Sequence, residues 1–387
     1  MKKNMIGLLI IAGVLVLLFF CFAPAVVDRS ANRIIRTEPL QVSQRAQELH
    51  STLWIADMHA DALLWNRDLN QRHNHGHVDI PRLIAGNVAL QAFTIVSKVP
   101  WGLNFEKNRA DSDMITLLAV AQKWPTKTWF SLRERALHQA QKIRNFAAAS
   151  KGTLSLIYSR GDLQRYIQQR KNSTRLTAGF IGIEGSQVLE GHLQNIQVLF
   201  DAGFRMMAPT HFFDTKMGGS AHGMNKGGLT PFGRKAIRIM EKKGMLVDLA
   251  HASPATIDDI LDVATRPVLV SHTGVKGTCK KTRNISDVHI KRIAENGGLI
   301  GIAFFPEAVC GDSVDAVIRA ISYTVQLVGV KHVALGSDFD GAAPVPLDAS
   351  RMVEITDGLL TAGFSDKDIA LIMGENLQRL LLNNLPY

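Results

Sequence analysis

Cysteine is scarce. Three residues in 387 exclude a disulfide-built scaffold and a Cys-rich zinc module. Repeats, low-complexity tracts and Ser/Pro/Gly linkers are missing after residue 50, so a single domain over 53–387 is the simplest division. A basic stripe is missing too. The formal charge of +10 is carried by scattered doublets such as Lys242-Lys243, Lys280-Lys281 and Lys291-Arg292, without interleaved aromatics. That pattern argues against a nucleic-acid partner and for a general attraction to an anionic membrane or envelope surface. What is present, 46% hydrophobic and 20% charged residues, is the make-up of a folded globular chain.

A long apolar run occurs at the start. Lys2 and Lys3 precede residues 5–27, broken by Gly7, Gly13 and Pro24. A helix crossing a hydrocarbon core of roughly 30 Å needs about 20 residues, so residues 1–28 read as one N-terminal transmembrane helix. The basic flank stays cytoplasmic, which sends the rest of the chain to the extracytoplasmic side. Ala23-Pro24-Ala25 has the small-x-small form of a cleavage site, and secretion after removal of a signal peptide is the competing reading. Residues 29–52 read as a juxtamembrane linker passing into a first helix.

Apolar runs at 53–59, 90–96, 154–158, 178–184, 204–211, 245–251, 268–272, 299–304 and 332–338 read as strands. Amphipathic stretches such as 233–243, 254–264 and 314–327 lie between them, an alternation that specifies a parallel α/β sheet. Nine candidates exceed a (β/α)8 TIM-type barrel by one. The run 154–158 is set aside, because no short barrel-like unit with a polar residue at its end connects it to the next. The other runs finish around His59/Asp61, Glu184, His211, His251, His272 and Asp338. Barrel enzymes carry their sites at the C-terminal mouth of the strands, so these endings signal fold and site together. A doubly wound sheet, the alternative, would gather its site at one switch point.

His59-Ala60-Asp61 is the first chemical element: in an extended strand, residues two apart share a face and can bind one ion. Glu184 lies between glycines in Gly182-Ile183-Glu184-Gly185, with two oxygens to bridge two cations, or else caps the next helix. His251 and His272 close successive units in the same way, where a lone strand-end histidine would ordinarily be structural. Together these are nitrogen and oxygen donors without thiolate, a set that suits zinc first, with manganese or cobalt as alternatives. His211 and Asp338 complete the ring, and Asp340 shares Asp338's face, so the spacing does not separate a general base from a turn residue. The densest histidine tract, RHNHGH at 72–77, falls in a polar loop and is set aside as a functional site.

DMHADALLW (57–65), GIEG (182–185), THFFD (210–214), GGLTPFG (227–233), DLAHAS (248–253), SHTG (271–274), TRNISD (282–287) and GSDFDG (336–341) resemble, in order, the signature segments of the membrane (renal) dipeptidases of the amidohydrolase superfamily. The resemblance covers essentially all of 53–385. It implies a metallo-dipeptidase with two zinc ions, one held by His59, Asp61 and Glu184, the other by Glu184, His251 and His272. It also implies that His211 meets the substrate carbonyl, Arg283 the substrate carboxylate, and that Asp338 is the acid/base in hydrolysis by a metal-bridging hydroxide. The implied partner is a small dipeptide; a homodimer stays open. Departures fall in the pocket: Gly185-Ser186-Gln187 and THFFDTKMGGSAHG differ from the animal segments. Another amide (a β-lactam, a wall peptide or the peptide of a secreted metabolite) and a non-catalytic envelope binding role are therefore the alternatives. Finally, Cys279 and Cys310 leave the same ends of the sixth and seventh barrel strands, which predicts a disulfide across the mouth.

Overall fold

The computed structural model describes residues 2–36 and 38–387. Nine strands form one parallel sheet: β1 (Ile55–Ala60), β2 (Val88–Phe93), β3 (Leu154–Leu156), β4 (Thr177–Ile183), β5 (Phe204–Met207), β6 (Leu246–Val247), β7 (Leu269–Thr273), β8 (Leu299–Ile302) and β9 (Val333–Leu335). Their order is β6-β5-β4-β2-β1-β9-β8-β7, with β3 beside β4 and off this path. The two ends of the path meet through a parallel bridge between Asp248 and Leu269, so the eight strands of the path close on themselves. This is the expected barrel. The run 154–158, excluded from the ring, is still a strand: β3 pairs with the first half of β4, while β5 takes over along its second half.

Amphipathic helices cover the outside, as their apolar faces require. Pro231–Lys243, Pro254–Val263 and Asp287–Glu295 each begin on a side-chain cap, from Thr230, Ser253 and Ser286. Their buried rows, Ala236/Ile237/Met240 in the first and Ile257/Ile260 in the second, pack on the strands beneath. The eight strands of the ring are buried on both faces, which is why they read as apolar runs.

Several strands stop earlier than their apolar runs. The runs 204–211 and 245–251 pair as Phe204–Met207 and Leu246–Val247. His211, His251 and Asp338 stand just beyond the last paired residues, and His251 and Asp338 have φ of 62°. The ladders have already ended at Val247 and Leu335, and the left-handed backbone at His251 and Asp338 turns the chain sharply at the mouth. Asp61 has also left its strand (φ −94°, ψ 28°), so the shared-face argument for His59 and Asp61 does not hold as stated.

Lys2–Ala31 is helical. Most side chains of the expected membrane span lie outside the described residues, and among the described residues no helix is long and apolar enough to cross a membrane. The end of this helix is tied to the barrel. Asp28 pairs with Arg67 at 2.9 Å, and Arg67 pairs with Asp340 at 2.8 Å. The tract 72–77 joins the same network. The backbone N–H groups of His77 and Val78 donate to Asp340 at 2.7 and 3.1 Å, and the Asp340 N–H donates to His77 Nδ1 at 2.9 Å. What reads as a polar loop thus has a buried end, because its last residues are the partners of a buried carboxylate.

Two predictions follow from these ties. Cys279 and Cys310 are bonded, with Cα atoms 5.4 Å apart and a sequence separation of 31. Thiol titration of the denatured, unreduced chain is expected to find one thiol, Cys21, and all three after reduction. Opening a loop of that size should cost roughly 3 to 4 kcal/mol, read as the stability lost in Cys310→Ser. Asp340→Asn should lower unfolding free energy in denaturant by about 3 kcal/mol, because it takes from buried Arg67 one of its two carboxylate partners and leaves Asp28 alone to balance it. Against the cost of burial, Arg67 holds the Asp340 carboxyl below its usual value. Its stabilisation is therefore complete above about pH 4 and lost as acid titrates the folded form. The variant should accordingly lose less stability than the parent on acidification below about pH 4.

Candidate metal centre

Four strand ends bring four imidazoles onto one carboxylate. Glu184 Oε1 lies 3.2 Å from His59 Nε2, 3.4 Å from His251 Nε2 and 3.3 Å from His272 Nε2, and Oε2 lies 3.0 Å from His211 Nε2. His59 Nε2 is also 3.5 Å from Asp61 and 3.8 Å from Asp338. All of these side chains are buried. Sequence reading singled out each of them, and the fold brings them all together; Arg283 stands beside them, donating to the His272 carbonyl at 3.0 Å.

Local backbone makes the convergence sterically feasible. Gly185 has φ 85°, which lets the chain turn directly after Glu184. A Cβ at Gly336 would sit 1.9 Å from the Ser271 carbonyl oxygen, so only glycine lets the Asp338 segment lie against the strand carrying His272.

The electrostatics favour a cation. Burial, then the field of Arg283, holds the His251 ring well below its usual value, and burial with His59 and Arg283 does the same to His272. Both present neutral nitrogens, the form a metal binds. Although burial opposes it, His211 and His59 keep Glu184 ionised, well below the usual carboxylate range. Glu184 and Asp61 in turn hold His59 above its usual value against full burial. Burial pushes Asp338 up to about 7, with Asp61 and Glu184 adding to the rise and His59 and Arg283 opposing it.

His59 Nε2 and Glu184 Oε1 lack a hydrogen-bond partner among the described residues, though both are buried. Polar atoms so placed are rare unless something else satisfies them. Three groups have ligand atoms close enough to hold an ion: His59/Glu184/His272, Glu184/His211/His251 and His59/Asp61/Asp338. The donors fit a metal, and they share Glu184 in two of the three groups.

A second layer, missed by sequence reading, fixes these side chains. Ser271 Oγ lies 3.1 Å from His59 Nδ1 and 2.9 Å from His272 Nδ1, orienting both rings. Thr94 donates to Asp61 at 2.6 Å. Asp57 accepts the Ser337 N–H, the Ser337 hydroxyl and Gln91, each at 2.7 Å. Asp248 accepts the Ser271 N–H at 2.8 Å across the seam between β6 and β7. The signal was available: Asp57 and Asp248 are charged residues inside runs otherwise apolar, at positions with no exposed face.

Asp338 and Asp340, inseparable by spacing, part here. Asp338 faces His59, whereas Asp340 is spent on Arg67 and the backbone of His77 and Val78. The tract 72–77 contributes to none of the metal-capable groups among the described residues.

A family model described as membrane dipeptidase (peptidase family M19) matches residues 43–384. The dipeptidase aclJ of Aspergillus oryzae is 26% identical over 391 residues, covering 95% of this chain and 86% of that protein. An uncharacterized dipeptidase of Schizosaccharomyces pombe is 28% identical over 330 residues, 81% of this chain and 75% of that protein. Among solved structures, the probable dipeptidase PvdM of Pseudomonas aeruginosa superposes with a TM-score of 0.74 at 18% identity, covering 88% of this chain and 98% of that one. A metallo peptidase of Rhodobacter sphaeroides, liganded with a phosphinate mimic of L-Ala-D-Ala, superposes with a TM-score of 0.69 at 20% identity, covering 86% and 99%. The structural likenesses speak for the fold, and the family match over nearly the whole barrel makes the assignment: the chain belongs to the membrane dipeptidase family, peptidase family M19.

Proposed function

We propose that this peptide hydrolase is a two-zinc dipeptidase. The observation that carries the reading is the convergence of His59, His251 and His272 on one oxygen of Glu184, with Asp61 beside His59. His59, Asp61 and Glu184 would hold one zinc, and Glu184, His251 and His272 the other. Zinc held there supplies Lewis acidity, which polarises a carbonyl and acidifies water. The chain's own residues do the rest. Asp338 takes a proton from the attacking water and returns it to the departing amine. His211 steadies the substrate's carbonyl oxygen as it gains charge. Arg283 spends one donor on the His272 carbonyl and keeps the rest of its fork for a free carboxylate. A carboxylate clamp so close to the reacting centre leaves room for two residues. The phosphinate mimic of L-Ala-D-Ala in the Rhodobacter sphaeroides relative supports the same substrate class.

The apolar run within Lys2–Ala31 supports a membrane tether with the barrel on the extracytoplasmic side, and the Cys279–Cys310 bond supports an oxidising compartment. Cell fractionation with protease accessibility of the barrel tests this.

Metal analysis together with a dipeptide screen tests the central reading. The purified protein is expected to carry close to two zinc equivalents and to hydrolyse dipeptides. Glu184→Gln should lose at least one metal and nearly all turnover; retention of both would remove the shared-carboxylate centre. Asp338→Asn should keep its metals yet lose about 100- to 10,000-fold in kcat, while Asp340→Asn, folded, stays closer to the parent. Amidating the C-terminus of a good dipeptide, or extending it to a tripeptide, should cost at least about 30-fold in kcat/KM. Equal rates on the free and amidated forms would remove Arg283 from the carboxylate.

A further inference from the structure

The segment 210–223, where this chain departs from the animal enzymes, folds directly onto the metal centre. The Ser220 hydroxyl donates to the His211 carbonyl, and the Ala221 N–H donates to the His251 carbonyl at 2.8 Å. His222 follows and is fully buried. Its carbonyl accepts from the Asn108 backbone N–H at 2.8 Å and the Asn108 side chain at 3.1 Å. Its ring lies 5.3 Å from the His251 ring and 5.0 Å from Phe212, whose own ring is 4.5 Å from His211.

The two ring nitrogens of His222 have different fates. Nδ1 lies 2.6 Å from the Phe105 carbonyl oxygen. A carbonyl only accepts, so Nδ1 carries the hydrogen, and in the neutral ring Nε2 is left as a lone pair. Nε2 is buried and has no hydrogen-bond partner among the described residues. Unlike His59 Nε2 and Glu184 Oε1, it belongs to none of the metal-capable groups, so the metals do not account for it. A buried acceptor left empty carries a penalty that something in the working enzyme should relieve. Burial first, and then the field of Arg283, hold this ring below its usual value, with His211 acting in the same direction. Those two residues hold, in the reading above, the substrate's carboxylate and its carbonyl oxygen. The one hydrogen-bond donor between those two groups of a dipeptide is the scissile N–H.

We infer that His222 is a further substrate-binding residue of the dipeptidase site, whose Nε2 accepts the scissile N–H. The inference rests on the dipeptidase reading. His222 then orients the amide nitrogen, keeping its developing lone pair turned away from the ring and free for the proton that Asp338 returns. It also makes the site selective for secondary amides over bonds that lack the hydrogen.

The test pairs a change in the enzyme with a change in the substrate. One substrate is L-Ala-L-Ala; the other is its ester analogue, in which oxygen replaces the scissile N–H at nearly constant shape. His222→Phe keeps the aromatic wall and removes the acceptor, and His222→Gln restores an acceptor oxygen. For His222→Phe, kcat/KM on the amide should fall about 10- to 100-fold while the ester changes less than about 3-fold. His222→Gln should recover part of the amide-to-ester ratio. Zinc content is measured on all three proteins. Equal losses on both substrates, or an unchanged ratio, would overturn the proposal and leave His222 a packing residue. If His222→Phe fails to fold, the ratio in His222→Gln against His222→Asn decides: the same ratio in both, far below the parent's, overturns it, because the longer side chain alone reaches the Nε2 position. A parent protein replete in zinc but inert on both substrates would refute the dipeptidase reading, and this proposal with it.

Discussion

A buried carboxylate surrounded by four imidazole nitrogens within 3.4 Å is the constraint on which the rest of this structure depends. Glu184 stays ionised at the bottom of a protein pocket, where an isolated charge would be costly. Two of the facing rings are held neutral, and among the described residues one of the carboxylate's oxygens accepts no hydrogen bond. A metal cation shared between the rings and the carboxylate would satisfy these groups together. The barrel is the device that makes such crowding sterically feasible, since the ligands arrive from the ends of several strands and no strand must supply more than its end.

That crowding is held from below. Asp57 gathers Ser337 and Gln91, and Asp248 reaches across the seam where the ring closes with little ladder of its own. Ser271 lies between the rings of His59 and His272 and sets the orientation of both. The left-handed backbone at His251 and Asp338 is local strain of the kind that persists where surrounding structure over-determines a conformation. Here the surroundings are these carboxylate and hydroxyl clasps, so the same polar residues both close the barrel and aim the site.

Above the centre, two loops form walls of the mouth. The Cys279–Cys310 bond joins the loop that carries Arg283 to the loop beyond β8, and Asn284 reinforces it by donating to the carbonyls of Cys279 and Ala308 at 2.8 Å each. Opposite, the segment 210–223 is clipped to His211 and His251 through backbone and Ser220. The metal-capable residues thus come from strand ends at the mouth of the barrel, and two braced loops stand over them.

The sequence by itself determined the barrel and every metal-capable residue. Buried parallel strands must be apolar, so a charged or imidazole side chain at the end of a run stands out, and six such endings among eight runs leave few alternatives. It did not determine where strands stop. The runs 204–211 and 245–251 are apolar past the last ladder bond, since burial continues into the turn while pairing does not. Nor could it part Asp338 from Asp340, two like residues at the same spacing; only the fold places Arg67 and the His77 backbone against one of them. The same holds for Asp57, Asp248 and His222. Their partners lie on other strands and loops, and a hydrogen bond that spans more than 100 residues, as from Asn108 to His222, leaves no periodic mark in the chain that makes it.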